Sequence, residues 1–248
     1  MRKVLIGAFS YLLIVTCSAW GQDAMYFYNL GLKSSITPTK IKYFTAALEL
    51  DPGLSAAYKK RGILYYFQEE YTEAINDLHR VIELKPFESE AHLMLGLAYM
   101  EKGDVDEAVA NLNRAIELDP KLADAYSYRS ELYRLKGMIE DAIEDATRAI
   151  ELGGIEPIIG RAYTVRAKAY RELGQSEQAE ADFKKASKLD PEYYMYSMLT
   201  STELLAGWAS ESSSLKNVGW MGAALIVTLL FVVIFKLTIS APKKDDDN

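Results

Sequence analysis

The chain has 248 residues and a formal net charge of −7 at pH 7, which excludes non-specific nucleic-acid binding through a basic surface. Its one cysteine, Cys17, lies in an apolar leader, so a processed chain would carry neither a disulfide nor thiol chemistry. The mean hydropathy is −0.07 because two apolar ends offset a polar middle.

Residues 1–21 have the three parts of a secretory signal. Arg2 and Lys3 form a positive start, Val4 to Cys17 is an apolar run, and Ala19 to Gly21 places small residues before a cut ahead of Gln22. The run is short for a spanning helix, which needs about 20 apolar residues. An uncleaved anchor is the competing reading. A lipoprotein signal at Cys17 is weaker, because Thr16 is a poor small residue before it.

From Asp23 to Pro52 the pattern is helical but irregular. Thr37-Pro38 marks a fresh helix start, with threonine as cap and proline as first helical residue. Gly31 precedes Ala47 by 16 residues, whereas Gly96 precedes Ala115 by 19. Either this hairpin is three residues shorter, or Tyr28 takes the small-residue place.

Four better-formed units follow, over Ser55–Lys85, Ser89–Asp119, Ala123–Gly153 and Gly160–Asp190. In the central one, Leu95, Gly96 and Tyr99 share a face of one helix, Gly103-Asp104 turns the chain, and Ala108, Leu112 and Ala115 mark the return helix. Pro52, Pro86 and Pro120 are spaced by 34 residues, and Gly154 lies 34 after Pro120. Pro191 is 37 after Gly154, so three extra residues sit near Gly153 to Pro157, as a longer turn or a looser joint. Gly62, Gly96, Ser130 and Ala167 supply a small residue in register. Tyr65, Tyr99, Tyr133 and Tyr170 follow three residues later, and Ala74, Ala108, Ala142 and Ala179 open the second-helix contact.

This period and these marks resemble the tetratricopeptide repeat (TPR) family. The resemblance covers roughly Ala24 to Glu192. It implies an all-α, right-handed superhelical solenoid of about five helix hairpins over residues 23–192, with an atypical terminal unit facing solvent.

Residues 193–209 read as a helix capping the exposed core of the last repeat, through Tyr194, Met198, Leu205 and Trp208. A juxtamembrane amphipathic helix is the competing reading. Residues 210–217 are a polar linker, and 218–239 form a transmembrane helix in contact with lipid from Val218 to Ile239. Trp220 suits an interfacial anchor, and Lys236 can reach headgroups. Lys236, Lys243 and Lys244 follow the span against Lys216 alone before it, which predicts a cytoplasmic tail at 240–248 and repeats outside the cytoplasm. In a bacterium that is the periplasmic side of the inner membrane.

Catalytic constellations are missing from the sequence. His92 occupies the register of Tyr58, Tyr126 and Tyr163, a packing place, while His79 reads as a surface residue. No second histidine stands at metal-ligand spacing, and no nucleotide-binding or nucleophile motif occurs. Carboxylates such as Glu69-Glu70 and Asp141 to Glu144 read as solvated faces. No cofactor, metal, small-molecule substrate or nucleic acid is expected, and the chain is not expected to be an enzyme.

The resemblance implies instead that first helices line a groove for a protein or peptide partner. Carried onto this chain, the groove residues are Lys59, Ile63 and Tyr66; Leu93, Leu97 and Met100; Ser127, Glu131 and Arg134; and Thr164, Lys168 and Arg171, the competing reading being that Ile63, Leu93 and Leu97 simply pack against adjacent helices. The N-terminal half is then apolar and the C-terminal half cationic. Members that clamp chaperone carboxylates pair lysine with asparagine four residues on, but here Lys59 is followed by Ile63. The expected function is a membrane-anchored scaffold or adaptor for an envelope or secretory complex. Alternatives are a cytosol-facing, tail-anchored co-chaperone or organelle adaptor, and, from another class, a carboxylate-using enzyme.

Overall fold

The computed structural model describes residues 23–199, with side chains as far as Met195. The predicted leader, most of the predicted capping helix, the linker, the predicted span at 218–239 and the tail lie outside the described residues. The helices are α1 (23–33), α2 (Thr37–Leu50), α3 (Ser55–Phe67), α4 (Tyr71–Leu84), α5 (Ser89–Lys102), α6 (Val105–Leu118), α7 (Ala123–Leu135), α8 (Ile139–Leu152), α9 (Glu156–Glu172), α10 (Ser176–Leu189) and α11 (Pro191–Leu199). Among the described residues there is no strand, and no helix is long and apolar enough to cross a membrane.

The helices pair as hairpins because the connections are short and the apolar residues recur at helical spacing. Second helices bury one stripe: Ala108, Leu112 and Ala115 on α6, and Ala142, Ala146 and Ala149 on α8. First helices are enclosed on more sides. Helix α5 packs on α4, α6 and α7, and it buries the continuous run Leu95 to Ala98 as well as Ala91, His92 and Leu93. The main cluster joins Leu93, Leu97, Leu112, Ala125 and Leu132, with Tyr66 and Tyr128 packed against it. Full burial of a leucine such as Leu112 contributes roughly 1.5–3 kcal/mol.

The turn chemistry explains the period. Asp51 and Asp119 end α2 and α6 in extended backbone, the conformation imposed on a residue before proline. Between paired helices, Gly103, Gly137 and Gly174 take φ of 87°, 76° and 75°. The same register in the second hairpin falls on Glu69, at φ 63°. Close approach requires a small residue at Gly96, where a Cβ would stand 2.9 Å from Leu112 Cγ.

Two irregularities acquire a structural cause. A Cβ on Gly31 would stand 2.5 Å from the Phe44 ring, and the Tyr28 ring lies 5.6 Å from that of Phe44. Gly31 therefore holds the close-approach place, and the first hairpin is three residues shorter than the others. The extra residues before Gly160 form neither a longer turn nor a looser joint. They wind into α9 from Glu156, with Pro157 in its first turn, where a missing N–H costs no helical bond.

Candidate functional site

The twelve predicted groove residues fall on three register rows of the first helices, and burial differs by row. The row nearest each helix start comprises Lys59, Leu93, Ser127 and Thr164. Leu93 is 6 % exposed, Ser127 0 % and Thr164 1 %, so these three lie inside the stack rather than on a surface. The cause is direct packing between successive first helices: α5 touches α7, and α7 touches α9. Ser127 Oγ donates to the Ile158 carbonyl on α9 at 3.2 Å, and Thr164 Oγ1 donates to Gly160 O on its own helix. Lys59 is half-buried between Glu88 and Glu90, with Nζ 2.8 Å from Glu90 Oε2. Burial opposes its charge, but the two carboxylates outweigh burial and raise its pKa.

The middle row is Ile63, Leu97, Glu131 and Lys168. Leu97 belongs to the core, and the other three are half-buried. The row nearest the inter-helix turn is Tyr66, Met100, Arg134 and Arg171. All four are half-buried, and the row runs from aromatic through apolar to cationic. This is the part of the predicted surface that remains partly open.

At its C-terminal end the face is organised around Arg161, which the sequence reading did not single out. Its guanidinium lies 4.7 Å from the Tyr128 ring centre and 4.0 Å from that of Tyr193, and it donates to Glu131 Oε2 at 2.9 Å. The Tyr193 hydroxyl donates to Glu131 Oε1 at 2.9 Å. Tyr193 comes from α11, so the start of that helix reaches α7 across 62 residues of sequence. Burial opposes the Arg161 charge, but Tyr193 and Glu131 outweigh it and raise its pKa. Burial and the nearby Glu131 raise that of Tyr193. Next to it, Tyr194 packs edge-on against Phe183, with ring centres 5.9 Å apart.

Beside this group, Arg134 Nη1 donates to Glu172 Oε1 at 2.7 Å, and Arg171 lies over the Phe183 ring at 4.6 Å. Lys168 titrates below the usual lysine range, through burial first and then through Arg134. Arg134 Nε is buried and has no hydrogen-bond partner among the described residues.

A second set of charges, also missed from sequence, ties three of the hairpins together. Arg61, Arg129 and Arg166 bind Asp77, Asp145 and Asp182 through both oxygens, 16 residues on. A third donor nitrogen reaches back to the preceding second helix, at Thr45, Asn113 and Thr147 respectively. Each guanidinium also lies over two tyrosine rings, such as Tyr126 at 5.5 Å and Tyr133 at 5.3 Å for Arg129. The central hairpin has Leu95 and Asn111 at these places instead, with His92 Nδ1 3.4 Å from Asn111 Oδ1. The signal was present in the sequence as Tyr-x-x-Arg in three of four units.

An open polar hollow is lined by Tyr126, Arg129, Glu144, Asp145, Thr147, Arg148 and Glu151. It offers carboxylates and guanidinium groups but no nucleophile poised beside a base. His79 is exposed, with Nε2 3.0 Å from the Tyr99 hydroxyl. Among the described residues no group of three His, Cys, Asp or Glu side chains could hold a metal ion.

Comparisons with known proteins agree with this geometry. A family model described as tetratricopeptide repeat matches residues 59–123 and 93–157, and a second model of the same description matches 160–193. A crystal structure of MamA protein is similar at 27% identity and TM-score 0.61, covering 71% of this chain and 96% of that one. YrrB, described as a TPR protein with an unusual peptide-binding site, is 23% identical with TM-score 0.58, covering 71% of this chain and 92% of its own. TTC0263, a thermophilic TPR protein in Thermus thermophilus, is 19% identical with TM-score 0.54, covering 71% and 99%. The last two likenesses speak to the fold alone. A comparison with curated proteins returns no match.

Proposed function

The chain belongs to the tetratricopeptide repeat family and carries its type of protein–protein interaction module, and from that premise we propose a membrane-anchored adaptor that holds a peptide or partner helix on its first-helix face, outside the cytoplasm. The observation that carries the reading is the half-buried row Tyr66, Met100, Arg134 and Arg171, one side chain from each successive first helix. Aromatic and methionine side chains supply adaptable apolar contact, and the cations fix direction. The peptide-binding site of YrrB belongs to that protein; for this chain the support is its own row.

Anchoring and orientation rest on sequence: the apolar run Val218–Phe235, the lysines after it and the leader before the repeats. A reporter active only outside the cytoplasm, fused after Asp190, is expected to be active. An inactive reporter with an intact Met1 in the mature chain would favour a cytosol-facing, tail-anchored adaptor instead. For the binding role, a photo-crosslinking side chain is placed at Tyr66, at Met100 and, as control, at exposed Glu83 on α4. The first two positions are expected to yield the same partner and the control none. Different products, or none, from Tyr66 and Met100 would remove the groove reading.

A further inference from the structure

We propose that the open hollow at α7 and α8 is a second binding site, which takes an arginine or lysine side chain of a basic peptide segment against Tyr126, Glu144 and Glu151. None of these residues belongs to the three first-helix rows of the groove, so the site is independent of that reading. Carboxylates alone would not define it. The tyrosine does, because two sister hairpins show what its place holds.

In those hairpins the equivalent ring lies under two cations, one from each helix. Tyr58 has Arg61 at 5.7 Å and Arg80 of α4 at 5.8 Å. Tyr163 has Arg166 at 5.4 Å and Lys185 of α10 at 5.0 Å. Tyr126 has the cation of its own helix, Arg129 at 5.5 Å. Arg148 stands in the register of Arg80 and Lys185, but it is paired with Glu151 at 3.3 Å, and beside Tyr126 lies an open hollow of about 530 Å³. The chain fills this place with a side chain of its own in two hairpins and leaves it open in the third.

The lining selects a cation. Asp145 and Arg129 are bonded to each other, and Glu151 is bonded to Arg148, so Glu144 is the lining charge without an ion pair among the described residues. Helix α8 as a whole carries Glu140, Asp141, Glu144, Asp145 and Glu151 against Arg148 alone. A π face beside carboxylates attracts a guanidinium or ammonium group and disfavours an anion. The Arg148–Glu151 pair is exposed on both sides, so a guest cation exchanges with it at little cost. The openness of the hollow suits a side chain whose backbone stays on the surface of α8, where the other carboxylates meet neighbouring basic residues.

The test is fluorescence anisotropy on the full chain in detergent, with a fluorescein-labelled Ser-Arg repeat peptide against its citrulline counterpart, which keeps the shape and loses the charge. The arginine peptide is expected to bind at least about tenfold more tightly. Glu144→Gln and Tyr126→Leu are each expected to weaken it about fivefold, and Tyr126→Phe, which keeps the ring, to leave it unchanged. Arg148→Ala removes the internal competitor and frees Glu151, and is expected to strengthen binding roughly threefold. Glu107→Gln makes the same charge change as Glu144→Gln at an exposed place on α6 outside the hollow, and is expected to leave binding unchanged. Glu144 and Arg148 are exposed, so their arms stay informative even if Tyr126→Leu unfolds. Equal losses from Glu107→Gln and Glu144→Gln would mean attraction to the net charge of −7 alone, and overturn the site. Equal binding of the two peptides, no binding of either, or weaker binding by Arg148→Ala overturns it as well. Crosslinking at Tyr66 and Met100 reads the groove separately, so the hollow and the groove stand or fall independently.

Discussion

Glu69 occupies a left-handed backbone conformation, φ 63°, where the equivalent turns use glycine. For a residue with a Cβ that conformation costs roughly 1–2 kcal/mol. The side chain is exposed, and among the described residues no hydrogen bond or ion pair through it repays that strain. Glu69→Gly is therefore expected to stabilise the fold by about 1 kcal/mol, less the greater freedom that glycine adds to the unfolded chain. Urea denaturation measures it, and a destabilised variant would show that Glu69 makes a contact of its own. The position was legible as a register place, since Gly103 lies 34 residues on, but its conformation was not. A glutamate in a turn carries no sign of φ. Gly96 was legible in full, because its smallness and the Leu112 it meets both recur in the pattern.

The hairpins are held by more than apolar stripes. Asp145 is 5 % exposed and bonded at both oxygens to Arg129, and although burial opposes the arginine's charge, the pair to Asp145 outweighs it. Asp145→Ala would leave a largely buried guanidinium without its counter-charge, at an expected cost of about 3–5 kcal/mol. Chemical denaturation of the variant reads this directly. A loss under about 1 kcal/mol would mean that the pair behaves as a solvated surface bridge. The arginine and aspartate were recoverable by overlaying repeats at 16-residue spacing. The third partners, Thr45, Asn113 and Thr147, were not, because they belong to the preceding hairpin and meet the arginine only once hairpins stack. The start of helix α9, read at Gly160, was misplaced for a different reason. Gly153-Gly154 and Pro157 are turn residues by composition, yet proline is tolerated in a first turn, and the helix begins at Glu156. The groove suffered from the same blindness to neighbours: spacing placed Leu93, Ser127 and Thr164 on the right helices, and packing between first helices then covered them.

A stack of hairpins has no single centre, and each unit is stabilised mainly by those beside it. Helix α5 is the limiting case, with α4, α6 and α7 against it and a nearly continuous buried run. Helix α10, which packs chiefly on α9, buries only Ala179, Asp182, Phe183 and Ala186. Native-state hydrogen exchange is accordingly expected to be slowest in α5 and faster in α2 and α10, because opening an end exposes one interface and opening the middle exposes two. One contact departs from this neighbour-only rule. The Tyr193 hydroxyl ties the start of α11 to Glu131 on α7, past the whole of the last hairpin. Tyr193→Phe keeps the ring over Arg161 and deletes only that bond to a charged acceptor, worth about 1.5–3 kcal/mol. The amides at the start of α11 should then exchange at least several-fold faster, while those of α5 keep their wild-type rates. If α5 loosened equally, the described residues would be unfolding as one cooperative body, and the neighbour-by-neighbour account of their stability would have to be abandoned.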